Sequence, residues 1–283
     1  VKRIGGLFVA VPEAGAAVYL NGKLIKNTNF LQSGVFVQDL TPGTHAIMVL
    51  KDGFWPWNKK LEVAESAVAE AKAFMLPQNI NGKILLNGPF ETIYASDKNN
   101  LLLLEERKND DHILTFYLPL ENEFLSPTNS VSKKLMMNKL RLKTLAWKEN
   151  GADIFFENKT ISLSFDFSKR SVLAQKNNLL KLEDANDILP HKISFDYRQR
   201  AEIRREDKNV WIKWLAEPLP YFLNKPEELI FETKSQIRGA AFFPKRSDLG
   251  IIAYQNGVFV IELDGRSQRN LQPIYKGKEP LFA

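Results

Sequence analysis

The 283-residue chain contains no cysteine. Disulfides, thiolate metal sites and cysteine nucleophiles are therefore excluded. Histidine is nearly as scarce, with only His45, His112 and His191. No two of these stand at ligand spacing, so a zinc centre is not expected. No apolar run reaches the ~18 residues of a membrane-spanning helix. Phosphate-cradling glycine loops, the dinucleotide fingerprint and the Gly-x-Ser-x-Gly elbow are also missing. The 33 acidic residues offer no pair whose placement singles it out for glycoside hydrolysis. Glu105-Glu106 and Glu227-Glu228 read as solvated strand ends, and Asp110-Asp111-His112 as a solvated turn. Asp97-Lys98-Asn99-Asn100 is loosely calcium-like, but it lacks the acidic ligand that closes an EF-hand loop and reads as a turn. No catalytic residue, cofactor or metal site is expected.

The composition is that of an ordinary globular protein, 44% hydrophobic and 25% charged, which argues against disorder. The net charge of +6 is spread along the chain and gives a mild positive field suited to anionic partners. Nucleic acid is not expected among them. The most basic stretch, Arg198 to Lys213, is diluted by Glu202, Glu206 and Asp207, and strand alternation sends Arg204 and Arg205 to opposite faces.

Residues 6–76 are short strands punctuated by turn chemistry. Gly6 to Val11 is a β-branched and aromatic strand ended by Pro12. Ala17 to Leu20 and Lys23 to Ile25 flank Asn21-Gly22, a strong hairpin signal because both residues tolerate positive φ. Gly34 to Leu40 and His45 to Leu50 are strands joined by Thr41-Pro42-Gly43. Lys51-Asp52-Gly53 turns the chain towards a strand at Lys59 to Val63. Of Phe54, Trp55 and Trp57, two are expected to cap a core, with Trp55 on the opposite face from Phe54. Ala64 to Ala73 fits either a closing strand or a short helix, and its Ala/Glu content leans to the helix. The series Leu7-Phe8-Val9, Pro12-Glu13-Ala14-Gly15-Ala16, Val18 to Lys23, Leu40 to His45, Lys51 to Phe54 and Trp57 resembles the PEGA domain, with the namesake tetrad stretched by one residue. The resemblance implies a small β-sandwich adaptor of bacterial and archaeal surface proteins, without catalytic residues.

The remainder carries a weak period of roughly 45–50 residues, the length of a four-stranded propeller blade. Leu145 to Phe156 and Ala240 to Tyr254 each read strand, turn, strand, followed by third strands at Thr160 to Asp166 and Gly257 to Asp264. Vaguer copies occur at Ile93 to Leu104 and Ile203 to Trp214, and residues 119–140 fit no repeat and read as a long excursion. The last copy, from Ile237-Arg238-Gly239 through Phe243-Pro244 to Asp264-Gly265, resembles repeats of TolB-like and WD-like propellers.

The expected fold is all-β: a PEGA-like β-sandwich over residues 1–77, then a β-propeller-like repeat domain over 78–283, minimal or incomplete at about four blades. The expected function is non-catalytic binding or scaffolding at the cell envelope, with a protein or an anionic cell-wall polymer as partner. Val1-Lys2-Arg3 suits the exit of an upstream membrane anchor and an extracytoplasmic location. A carbohydrate- or cell-wall-binding module is the first alternative, with Trp55, Trp147, Trp211 and Trp214 as stacking residues, and it requires those rings exposed and coplanar. An enzyme, either a glycosidase or the accessory propeller of a peptidase, is the second.

Overall fold

The computed structural model describes residues 3–29, 34–80, 82, 85–86, 88–96, 99–157, 159–177 and 193–282. His191, Asp97 and Lys98 lie outside the described residues. The chain is all-β and forms two compact units, Val1–Asn81 with Lys192–Pro280, and Gly82–His191 with Leu281–Ala283.

The first unit opens with β1 Gly5–Ala10, β2 Ala17–Leu20, β3 Lys23–Asn27, β4 Gly34–Leu40, β5 Gly43–Leu50, β6 Trp57–Val63 and β7 Val68–Lys72. They form two sheets, ordered β4-β1-β7 and β3-β2-β5-β6. The β2–β3 hairpin turns at Asn21 and Gly22, whose φ values of 50° and 81° are those the hairpin requires. Alternation then sorts the faces. Along β6, Trp57, Lys59, Leu61 and Val63 turn inward and the residues between them face water. Leu7, Val9 and Val35 from one sheet meet Val18, Ile47, Val49 and Trp57 from the other in a single core. Each such aliphatic side chain contributes about 1.5–3 kcal/mol on burial.

Residues 64–73, whose composition leans to a helix, contain the strand β7. It pairs parallel to β1 from Gly6↔Val68 to Ala10↔Lys72. The open edge of β1 supplies a ladder that isolated helix propensity cannot match, and Ala71 is buried in the core.

The second unit contains β8 Phe90–Ala95, β9 Leu102–Lys108, β10 Asp111–Leu118, β11 Glu123–Phe124, β12 Ser126–Pro127, α1 Ser130–Met136, β13 Met137–Asn138, β14 Thr144–Lys148, β15 Gly151–Phe155, β16 Thr160–Asp166 and β17 Ser171–Asn177. Its sheets run β11-β10-β9-β8, with β13 also on β10, and β12-β17-β16-β15-β14. They share one apolar core built on Leu103, Phe116, Ile154 and Leu163. The excursion at 119–140 includes a helix. Asn129 caps α1 by accepting from the Ser132 amide at 2.7 Å, while the Ser132 hydroxyl accepts from the Asn129 amide at 3.1 Å.

The first unit resumes with β18 Ile193–Phe195, β19 Ala201–Arg205, β20 Asn209–Trp214, β21 Glu227–Glu232, β22 Ile237–Phe242, β23 Leu249–Tyr254, β24 Gly257–Glu262 and β25 Leu271–Lys276. These form two antiparallel meanders, β18-β19-β20-β21 and β22-β23-β24-β25. The four sequence copies thus correspond to four meander sheets of the propeller-blade type.

Sequence patterning places one boundary at 77/78, whereas packing groups residues 192–280 with the N-terminal sandwich. The reason is in the core. Leu249 and Val260 of the last meander belong to the same buried cluster as Val9, Trp57 and Leu61. A buried polar seam lies beside it. The Lys59 ammonium donates to Glu262 Oε2 at 3.0 Å and to the Asp264 carbonyl at 2.7 Å. Trp57 Nε1 donates to Glu262 Oε1 at 3.1 Å, and Gln272 Nε2 reaches the Pro56 and Phe74 carbonyls at 3.2 Å each. A buried ammonium without partners would cost several kcal/mol; here its side chain is fully enclosed, with two carboxylates at hand.

Two acidic pairs differ from the solvated strand ends expected for them. Glu105 is 1% and Glu228 5% exposed. Strand alternation turns one member of each adjacent pair inward. Glu105 meets His112 Nδ1 at 3.0 Å, so His112 is a partly buried strand residue rather than a solvated turn. Glu228 Oε2 accepts from Arg269 at 2.7 Å. His45 is buried on β5 and bonded to Asn21 Nδ2 and the Thr41 carbonyl.

Candidate functional site

The four tryptophans singled out by residue type are dispersed. None is exposed: Trp214 is buried and Trp55, Trp147 and Trp211 are half-buried. Trp147 lies in the second unit and packs on Phe165 at 6.3 Å between ring centroids. Trp211 and Trp214 share β20, but an odd separation of three residues puts them on opposite faces. Trp211 donates to Glu206 Oε2 at 3.1 Å. These two rings therefore form no coplanar platform. Of the neighbouring aromatics, Trp57 is fully buried and Phe54 packs against the sandwich core.

Two open clefts of the first unit each contain one of the four. The first, about 330 Å³, is lined by Arg200, Trp214, Tyr221, Phe222, Lys72 and Asp248, with Pro218 and Pro220 at its wall. Its shape begins in the β18–β19 turn. The Asp196 carboxylate, 2% exposed, accepts from the backbone amides of Arg200 and Ala201. Gln199 takes a φ of 55° and completes the turn. This presents the Arg200 guanidinium 5.2 Å from the centre of the Trp214 ring. Trp214 is held in place by its Nε1, which donates to the Pro218 carbonyl at 3.2 Å, and by the edge of Phe222 at 6.2 Å.

The rest of the lining comes largely from the loop between β20 and β21. Gly265 fixes it by donating to the Phe222 carbonyl at 2.9 Å, and Asn224 Nδ2 returns a bond to the Gly265 carbonyl at 3.1 Å. A Cβ on Gly265 would stand 2.8 Å or less from the side-chain ends of Asn224, Glu228 and Arg269, which would have to shift to admit it. Tyr221 is half exposed and has Arg266 4.8 Å from its ring centre. Burial raises the Tyr221 phenol above its ordinary pKa, partly opposed by Arg266. Burial also works against ionised Asp248, but the two-point contact from Arg246, at 2.5 Å each, with Lys72 at 3.6 Å, holds its pKa below the ordinary value. Asp248 is thus engaged. Arg200 is not: among the described residues its guanidinium forms no hydrogen bond or ion pair, and its Nε is buried without a partner.

The second cleft, about 380 Å³, is lined by Trp55, Gln78, Asn79, Ile80, Tyr275 and Lys276. The Trp55 amide bonds the Leu76 carbonyl at 2.8 Å, and Lys276 Nζ lies 5.6 Å from its ring centre. The buried Trp55 Nε1 has no partner among the described residues.

Arg200 and Tyr221 carry no motif, and residue type alone marks neither of them. The only signal for Arg200 is the basic stretch that contains it. Among the described residues, no group of three His, Asp or Glu side chains is placed to hold a metal ion.

No family model matches the chain, and no curated protein matches it. Solved structures match weakly. A plant albumin from Cicer arietinum that shows hemagglutination is 10% identical over 67% of this chain and 93% of that one, with a TM-score of 0.33. Hsv2p of Kluyveromyces lactis is 8% identical over 81% of this chain and 70% of that one, at 0.27. The Neurospora crassa Pan2 WD40 domain is 11% identical over 68% of this chain and 52% of that one, also at 0.27. All three TM-scores lie below 0.5, and these likenesses establish no shared activity.

Proposed function

We propose that this chain is a non-catalytic binding or scaffolding protein of the cell envelope, in which a PEGA-like sandwich serves as adaptor for a set of propeller-type meander sheets. The observation that carries this reading is the seam at Lys59, Glu262 and Gln272. It joins the sandwich and the last meander into one compact unit. Two open aromatic clefts belong to that unit, each with an N–H group that the described residues leave unpartnered. The first of them sets aromatic and proline walls beside a few polar groups, the usual form of a binding site. The residue series of the N-terminal module supports an extracytoplasmic location, and the net charge of +6 supports an anionic cell-wall polymer or an acidic protein as partner.

The test is retention of the purified protein on isolated anionic cell-wall polymer across a salt series. Retention at low salt that fades as salt is raised fits the reading. No retention at low salt removes the electrostatic partner, and recovery of the native protein in the cytosolic fraction removes the envelope. Carbohydrate binding is a second reading, favoured by one feature: the unpartnered Trp55 indole beside Gln78 and Asn79. It requires Trp55→Ala to lose oligosaccharide binding while the fold is kept.

A further inference from the structure

We propose that the cleft between Arg200 and Tyr221 is a specific site for a planar aromatic carboxylate, whose ring lies along the apolar wall and whose carboxylate is gripped by the Arg200 guanidinium. The proposal rests on the reading of this chain as a binding protein and names the chemistry that one of its clefts recognises.

Three observations converge on it. The first is charge accounting. A half-buried guanidinium normally has an acidic partner, because a desolvated cation without one is costly. Of the carboxylates around this cleft, Asp248 is held at two points by Arg246, Asp264 is bonded by Arg266 at 2.7 and 3.0 Å, and Asp196 Oδ1 accepts from backbone amides while its buried Oδ2 has no partner among the described residues. Exposed Glu217 also lines the cleft, yet makes no ion pair with Arg200. Arg200 alone of these cations makes no ion pair among the described residues, and Nε is buried. The guanidinium lies over the Trp214 ring at 5.2 Å from its centre, and its N–H groups make no hydrogen bond among the described residues.

The second is the shape of the donor. Guanidinium presents parallel N–H groups that match the two oxygens of a carboxylate, and such charge-assisted pairs are roughly twice as strong as neutral ones. Lys72 at the rim is half exposed and already lies 3.6 Å from Asp248. It adds positive field rather than a second fixed contact. The third is the wall. Trp214, Phe222, Pro218 and Pro220 are apolar, and Tyr221 offers an exposed ring already backed by Arg266. A volume of about 330 Å³ accommodates one ring with its acidic group. A flat ring suits an offset or edge-on approach to these aromatics.

The experiment uses the five tryptophan indole N–H resonances of the intact chain. Trp214→Phe identifies the signal of Trp214. Benzoate, phenyl phosphate, acetate and benzyl alcohol are titrated as probes. Benzoate is expected to shift the Trp214 signal saturably and to bind more tightly than acetate or benzyl alcohol, each of which carries half of the recognised chemistry. Arg200→Gln is expected to weaken benzoate about tenfold or more, as loss of one charge-assisted contact requires. Arg200→Lys is expected to weaken it as well, because the fork is lost while the charge is kept. The other four indole signals report whether each variant is folded. Should Arg200→Gln fail to fold, Tyr221→Ala at the exposed wall takes its place, with a severalfold loss expected.

A Trp214 signal that ignores benzoate overturns the proposal, as does Arg200→Gln binding benzoate like the parent. Tighter binding of phenyl phosphate than of benzoate overturns the carboxylate assignment in favour of a phosphate site. Benzoate binding by a protein that shows no polymer retention supports the cleft and sinks only the electrostatic partner. Polymer retention without benzoate binding does the reverse.

Discussion

The two compact units are sealed by different chemistry. In the second unit, sheets of the same meander type meet through an apolar core of Leu103, Phe116, Ile154 and Leu163, with Glu105 and His112 as a buried polar exception. In the first, a sandwich meets a meander, and the junction combines apolar residues with Lys59, Glu262, Asp264 and Gln272. Apolar contact is non-directional, so it suits like surfaces that stack by shape. Joining unlike sheets calls for register, and hydrogen bonds to buried charges supply it because any other alignment leaves them unsatisfied. Buried charges confer specificity of this kind in some proteins and not in others. In this chain the difference between the two seals makes it measurable.

The largest expected effect breaks the seam. Lys59→Ala strands the buried Glu262 and should destabilise the first unit by about 3–5 kcal/mol. Hydrogen exchange should then rise across β5, β6 and β24 and stay unchanged across β9, β10 and β15. A uniform rise in both units would contradict the division. The double variant Lys59→Met with Glu262→Met sharpens the same comparison: it should recover much of the loss if the charges serve register more than stability. Next in size is Ile154→Ala, which leaves a cavity in the apolar seal and should cost the second unit about 2–5 kcal/mol, read by exchange on β14 to β16. Asn129→Ala removes the cap of α1 and should cost about 1 kcal/mol, with fraying confined to residues 130–136.

The smallest effect is electrostatic. Asp248 has a depressed pKa in the fold, so its stabilising contribution is present above its ordinary value of 3.8 and is lost as pH falls below that through its folded value. Asp248→Asn should therefore flatten the acid limb of the melting curve below that ordinary value of 3.8. Asp166 also has a lowered pKa, chiefly through the Lys169 backbone amide, but its carboxylate is open to solvent and screened. Asp166→Asn should leave that limb unchanged, so equal effects of the two would show that burial around Asp248 is immaterial.

Much of the strand map was legible because it is local. Asn21-Gly22 and Lys51-Asp52-Gly53 dictate turns wherever they occur, and β2 and β4 begin and end at the residues their alternation marks. The inward set of β6 was only partly legible, since Lys59 takes a core-facing position that its type alone argues against. The clefts were less legible still. Trp55 and Trp214 stood out as tryptophans, but nothing near Arg200 in the chain announces that its guanidinium will lie over Trp214 or that Tyr221 will line the same cleft.

Residue order alone determined the all-β class, the turn positions, the four meander copies and the absence of thiol chemistry, because these depend on local φ preferences, side-chain period and composition. The tertiary structure decided three further things: that β7 is a strand, that the sandwich belongs with the last meander, and that Arg200 comes to lie beside Trp214 in a cleft without an ion pair among the described residues. Each depends on a partner brought from elsewhere in the chain, about 60 residues away for β7 and about 200 for Lys59. Pairing at such distances is set by which edges and buried charges remain to be satisfied once the local elements have formed.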